Sequence, residues 1–224
     1  MAIQAGNRCY RDPSDLPDRI PVFPLSGALL LPSGQLPLNI FEPRYVAMID
    51  DALRGERLIG MIQPVIGCSE DCHTAPLCQV GCAGRLTQIA ETGDGRYLVT
   101  LTGVSRFVIQ QELETEADYR ACQVCFEKFT SDFEPRQGEE EIDRTALLSA
   151  FRSYLTAHDL EADWESVERA SNVGLLTALC MMSPWGPAEK QALLEAPSLK
   201  ERAETLIAIA ELSLAGSHDQ APVQ

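Results

Sequence analysis

Hydrophobic positions follow two different periods along the chain, and the change between them divides it. From Ile20 to about Phe133 apolar residues come in short runs or alternate with polar ones, as in strands. Ile20–Leu25 is apolar but broken by Pro21 and Pro24, which suits an edge or bulged strand. Ser33-Gly34 signals a turn, after which Leu36, Leu38 and Ile40 alternate with Pro37 and Asn39. One helix interrupts the strands. Pro43 fits its first turn, Tyr45, Met48, Ile49, Ala52 and Leu53 recur at helical spacing, and Gly55 stops it. Further strands are predicted at 58–62, 79–91, 96–110 and 119–127, with Thr92-Gly93-Asp94-Gly95 closing a hairpin.

Asp132–Gly138 reads as a linker, and beyond it the period becomes helical. Ile142, Ala146, Leu147, Ala150, Phe151, Tyr154 and Leu155 form one face of a helix led by Glu139-Glu140-Glu141, acids that the positive end of a helix favours. A short helix near 164–170 and an apolar one over 173–182 follow, the latter ended by Ser183-Pro184. Pro187 opens another and Pro197 closes it. Ser198-Leu199-Lys200-Glu201 is a capping box for the last helix, which Gly216 is expected to end. The predicted organisation is a flexible lead-in over 1–18, a β-rich domain over 19–134, a helical bundle over 139–216 and a disordered tail over 217–224. The class is α+β.

Composition narrows the field. A chain of 224 residues buries enough surface to fold without disulfides, and no apolar run reaches the ~20 residues of a membrane helix. The first residues lack the apolar core of a secretory signal, so a cytoplasmic protein with reduced thiols is expected. The net charge of −15 is lopsided, with −2 on residues 1–111 and −13 on residues 112–224. That balance argues against nucleic acid, whose binding rests on Lys and Arg. It leaves open simple solubility or an acidic surface that attracts basic partners.

Several motifs then fall in a telling order: Val22-Phe23-Pro24-Leu25, Leu36-Pro37-Leu38, Phe41-Glu42-Pro43-Arg44-Tyr45, Val80–Leu86, Leu101–Phe107 and Pro187–Glu195. Together they resemble the N-terminal substrate-recognition domain of the Lon protease family, also seen in cereblon, over roughly residues 19–214. The resemblance implies a PUA-like β-barrel with an inserted helix, followed by a C-terminal helical bundle. It also implies a non-catalytic module that binds unfolded or client polypeptides and delivers them to a separate protease or chaperone.

The residues agree with a non-enzyme. The phosphate-cradling G-x-x-x-x-G-K-[ST] string of the Lon ATPase does not occur, and no Ser–Lys peptidase setting is visible. His73, His158 and His218 neighbour no nucleophile, and Asp50-Asp51 reads as a solvated helix pair. Two segments are candidate client contacts. One is the turn carrying Phe41, Arg44 and Tyr45; the other is Leu29, Leu30 and Leu31, an apolar loop either tucked against the barrel or exposed as a sticky patch.

Cys68, Cys72, Cys78 and Cys82, with His73 among them, crowd one segment and make zinc a candidate ligand. The spacing departs from the usual C-x2-C, and a thiol switch or plain packing also fits. The alternative to client binding is therefore a small-molecule- or zinc-responsive protein using the barrel pocket or this loop. Cys122 and Cys125 sit on a predicted strand, pointing to opposite faces, and read as packing.

Overall fold

A computed structural model describes residues 2–67 and 74–218. Its strands are β1 (Ile3–Ala5), β2 (Arg8–Tyr10), β3 (Arg19–Pro24), β4 (Gln35–Ile40), β5 (Leu58–Ile62), β6 (Val80–Glu91), β7 (Tyr97–Leu113) and β8 (Ala121–Cys125). Helix α1 (Pro43–Arg54) is inserted between β4 and β5. The sheet order is β4-β7-β6-β5-β3-β8, and β8 pairs again with β7, so the sheet closes on itself. Only β3 and β5 run parallel; the other neighbours in this sheet are antiparallel. Closure requires β7, 17 residues long, to pair with β6 along one edge and with β4 and then β8 along the other. Register shifts at Ala83/Gly84, Leu86/Gln88 and Ile109/Gln111 let the long hairpin bend. β4 pairs with the first half of β7 and is the edge strand.

The helical region comprises α2 (Arg144–Ala157), α3 (Trp164–Arg169), α4 (Asn172–Met182), α5 (Pro187–Glu195) and α6 (Leu199–His218). The α+β class and the order of elements are as the periodicity predicts. Three details differ. The Glu139–Glu141 run is a separate 3-10 turn, because Asp143 accepts the Ala146 amide at 2.9 Å and starts α2 there. A 3-10 segment over Glu127–Phe133 runs into the expected linker, with Phe129, Asp132 and Phe133 buried. And α6 continues past Gly216 to His218, while residues 219–224 of the expected tail lie outside the described residues.

The expected flexible lead-in is instead structural. β1 and β2 form a hairpin across the two-residue turn Gly6-Asn7, with Gly6 at φ +58° in the first central position, as a type II′ turn requires. Ile3, Ala5 and Tyr10 are buried with Leu16, Ile20, Phe107 and Phe133 in one of two apolar clusters. The hairpin covers the barrel core that the closed sheet would otherwise expose.

The second cluster runs without a break from Phe23, Leu30 and Met48 of the β region to Leu176, Trp185, Leu193 and Leu206 of the helices. The two regions thus share a core, and polar groups fasten its rim. Gln63 donates to the Pro187 carbonyl at 3.0 Å and to Gln191, and accepts the Gly27 amide; Lys190 donates to the Gly27 carbonyl at 2.8 Å. At the centre of the seam, Arg106 of β7 grips the Asp132 carboxylate through Nε and Nη2 while Nη1 donates to the Leu194 and Ala196 carbonyls, which end α5.

Truncating Tyr10→Ala is expected to cost about 3–5 kcal/mol of unfolding free energy in urea, as removal of a buried aromatic does; a loss near zero would restore the flexible reading. Asp132→Ala strands the buried Arg106 charge and is expected to cost about 3–5 kcal/mol in the same assay.

Candidate functional site

The two proposed client segments meet different fates. Leu29, Leu30 and Leu31 are 2%, 1% and 0% exposed, tucked against the barrel. The chain passes so close over β7 that a Cβ at Gly103 would stand 2.0 Å from the Leu31 carbonyl oxygen. These leucines are core, and they offer a client no surface.

In the Phe41–Tyr45 turn, Tyr45 is buried against Phe23, with ring centroids 4.1 Å apart. Arg44 lies over the Tyr45 ring at 4.5 Å and pairs with Glu42 at 2.6 Å. Of the three candidate contacts Phe41 is the exposed one, at 59%, with the Arg96 guanidinium 5.9 Å from its ring. The register of β4 on β7 sets Asn39 opposite Leu98, which is also half exposed, so Phe41 and Leu98 share an apolar spot on the outer sheet face. Asp50 and Asp51, expected to be solvated, accept from the Tyr97 and Tyr119 hydroxyls at 2.8 and 2.9 Å, which anchors α1.

The outer edge of β4 is blunted against strand addition. Gly103 donates to the Gly34 carbonyl, so the alternation of an antiparallel ladder turns positions 35, 37 and 39 outward. Position 37 is proline, and its missing N–H removes the middle donor of that edge. Backbone pairing along this edge is thereby weakened.

Exposed apolar side chains also lie on α4. Ser171 caps this helix by accepting the Gly174 amide at 3.1 Å, and Leu175, Leu176, Leu179 and Cys180 face the core. Its other face, Val173, Gly174, Thr177, Ala178, Met181 and Met182, is almost as apolar yet is not buried, and Met182 is 84% exposed. A helix apolar all round is normally covered on every side. Here the outer face forms one wall of a groove of about 510 Å³, with Ser33–Gln35 and Pro135-Arg136 opposite. Met181 crosses the groove floor so closely that a Cβ at Gly34 would meet its Sδ at 2.3 Å. Methionine pairs give a surface that adapts to varied apolar shapes. The sequence did carry the signal, in an apolar helix with no polar stripe.

The buried thiols behave as packing. Cys82 is buried in the core, where desolvation pushes its pKa well up; Cys78 is half-buried with Sγ 3.8 Å from the Pro64 carbonyl. Cys68, Cys72 and His73 lie outside the described residues, and among those described no cluster of three or more His, Cys, Asp or Glu converges to hold a metal ion. Cys122 and Cys125 are on β8, as expected. Among the described residues no helix is long and apolar enough to cross a membrane.

A closed mixed sheet, an inserted helix and a clasped helical bundle define a recognisable class. The profile of the ATP-dependent protease La (Lon) substrate-binding domain matches residues 19–211, and the chain belongs to that family. It is similar to Lon protease 2 of Myxococcus xanthus, 28% identical over 86% of this chain and 23% of that protein. It is also similar to the Lon protease of Parabacteroides distasonis, 31% identical over 86% of this chain and 24% of that protein. The chain therefore spans about a quarter of the length of these relatives.

Among solved structures, a Lon N-terminal domain protein from Xanthomonas campestris superposes with a TM-score of 0.58 at 20% identity, covering 85% of this chain and 97% of that one. The N-terminal domain of Mycobacterium avium complex Lon protease gives 0.59 at 18% identity, covering 86% and 98%. At these identities the likeness establishes the fold. The family assignment supports a role in substrate recognition, and the part matched is the substrate-binding domain.

Burial raises the Cys122 thiol to about 11 and the Cys180 thiol to about 12, and Cys82 further still. At pH 8 these three are expected to resist iodoacetamide in the folded protein while exposed Cys9 is alkylated, as read by peptide mass spectrometry.

Proposed function

We propose that this chain binds unfolded polypeptide segments in the groove along the outer face of α4 and presents them to a separate protease or chaperone. The observation that carries the site is the uncovered apolar face from Val173 to Met182, set in a concave wall. The family assignment supplies the occupant: a module of the Lon substrate-binding class has polypeptide as its expected ligand. Unfolded chains expose apolar side chains in irregular order, and flexible methionines accommodate such variety better than a rigid aromatic pocket. The proline-blunted β4 edge is consistent with this mode, because pairing through backbone would bind any strand and invite aggregation.

The strongly acidic surface favours segments in which basic residues flank the apolar ones, and repels acidic ones. Catalysis has no part in this reading; the chain grips, and chemistry belongs to the partner. A zinc site built on all four of Cys68, Cys72, Cys78 and Cys82 would require Cys82 to leave the core and ionise against its burial, which disfavours that set of ligands.

Ala178→Glu and Met182→Glu place charge on exposed positions of the groove and are expected to weaken binding to a fluorescent, permanently unfolded model protein at least about tenfold. Their unfolding free energies are expected to stay within about 0.5 kcal/mol of the parent. Leu212→Glu, an exposed apolar site on α6, is the control and is expected to bind as the parent does. Equal binding by all four proteins would remove the groove from the account.

A further inference from the structure

A second cavity lies on the seam itself, about 270 Å³ in volume, between the end of the β region and the start of α6. Arg106, Asp132, Ser198, Leu199 and Arg202 line it, and Glu134 and Glu141 stand exposed around it. Arg202 is 4% exposed. Its Nε donates to the Leu193 carbonyl at 2.9 Å, but its buried Nη2 has no acceptor among the described residues. A buried guanidinium nitrogen without a partner is costly, and such groups are normally satisfied.

The local charge is also unbalanced. Asp132 is engaged by Arg106 at 2.7 Å, and together Arg106, Asp132 and Arg202 leave one positive charge in the seam. The Cys82 and Cys180 thiols stay protonated under burial and do not cancel it; the carboxylates of Glu134 and Glu141, which also line the cavity, are exposed to solvent. Burial and the neighbouring Arg106 push the Arg202 pKa down, yet an arginine in a protein keeps its proton. The first turn of the 20-residue α6 adds to the same field. Its Glu201 amide is taken by Ser198 Oγ at 3.1 Å, whereas the amides of the turn's first residues lack intrahelical acceptors, and Leu199 lines the cavity.

We propose that this cavity is a binding site for a compact oxyanion, phosphate or a short carboxylate, held by Arg202 Nη2 and the first turn of α6. The two ligands share the chemistry the site recognises: a small, delocalised negative charge with several acceptor oxygens. Bound there, the anion neutralises the seam and ties α6 to the linker and to β7, so it stabilises the joint between the β region and the helices. Glu134 and Glu141 oppose entry and set a limit on affinity. The cavity adjoins the α4 groove, with which it shares Pro135, Val173 and Thr177, but its anion contacts are Arg202 and the first turn of α6 and do not depend on polypeptide binding.

The test is thermal unfolding of the protein in sodium phosphate or sodium acetate, each against sodium chloride at matched ionic strength. Saturable stabilisation is expected, with Tm rising by roughly 5–10 °C once the anion exceeds its Kd about a hundredfold. A rise with phosphate alone assigns the site to phosphate; a rise with acetate as well assigns it to carboxylates generally. Arg202→Met is expected to abolish the rise. Glu141→Gln, a surface change that serves should Arg202→Met fail to fold, is expected to tighten binding severalfold. No rise over chloride with either anion, an undiminished rise in folded Arg202→Met, or unchanged affinity in Glu141→Gln would each overturn the proposal.

Discussion

One buried ion pair holds the two regions of this protein in register. Arg106 sits on β7, the strand that closes the barrel, and spends every nitrogen across the seam, on Asp132 of the linker and on two carbonyls at the end of α5. Its guanidinium plane also lies 4.3 Å from the Phe129 ring centroid. Such a pair contributes little net stability compared with an apolar substitute, because two charges must be stripped of water. It contributes geometry: a bidentate carboxylate and two helix-end carbonyls fix where α5 ends relative to the sheet. Arg202 does the same one carbonyl earlier, at Leu193.

From that clasp the position of α4 follows. The apolar cluster shared by the sheet and the bundle supplies the cohesion, and Leu175, Leu176, Leu179 and Cys180 bury the inner face of α4 in it. With the chain around α5 fixed by the ion pair and by Gln63 and Lys190, α4 comes to rest against the Ser33–Gln35 loop, with Met181 laid across Gly34. The groove is thus a product of the seam. Its two walls come from opposite sides of the linker, and its apolar character comes from a helix whose outer face has no polar stripe.

Much of the fold was legible in the sequence because its signals were local. The proline-broken β3, the Pro43 start and Gly55 stop of α1, the glycine turn between β6 and β7, and the Ser198 cap of α6 each act within a few residues. What escaped were features decided at a distance. Ile3, Ala5 and Tyr10 alternate too briefly to signal a strand, and only the open end of a closed sheet gives them a place to bury. Leu29, Leu30 and Leu31 read equally as core or patch until β7, thinned by Gly103, is seen to pass beneath them. Arg106 is an ordinary arginine in a strand motif, and its partners lie 26, 88 and 90 positions away. The candidate site moved for the same reason: periodicity finds the buried face of a helix well, but shows a bare apolar face only once the neighbours are known.

The central claim is that the outer face of α4, rather than the Phe41 turn, meets the client. Site-specific photocrosslinking tests it directly, with a benzophenone side chain placed in turn at positions 182 and 41 and irradiated with an unfolded polypeptide. The account predicts a crosslinked product from position 182 and none above background from position 41. Crosslinking from position 41 with none from 182 would contradict it.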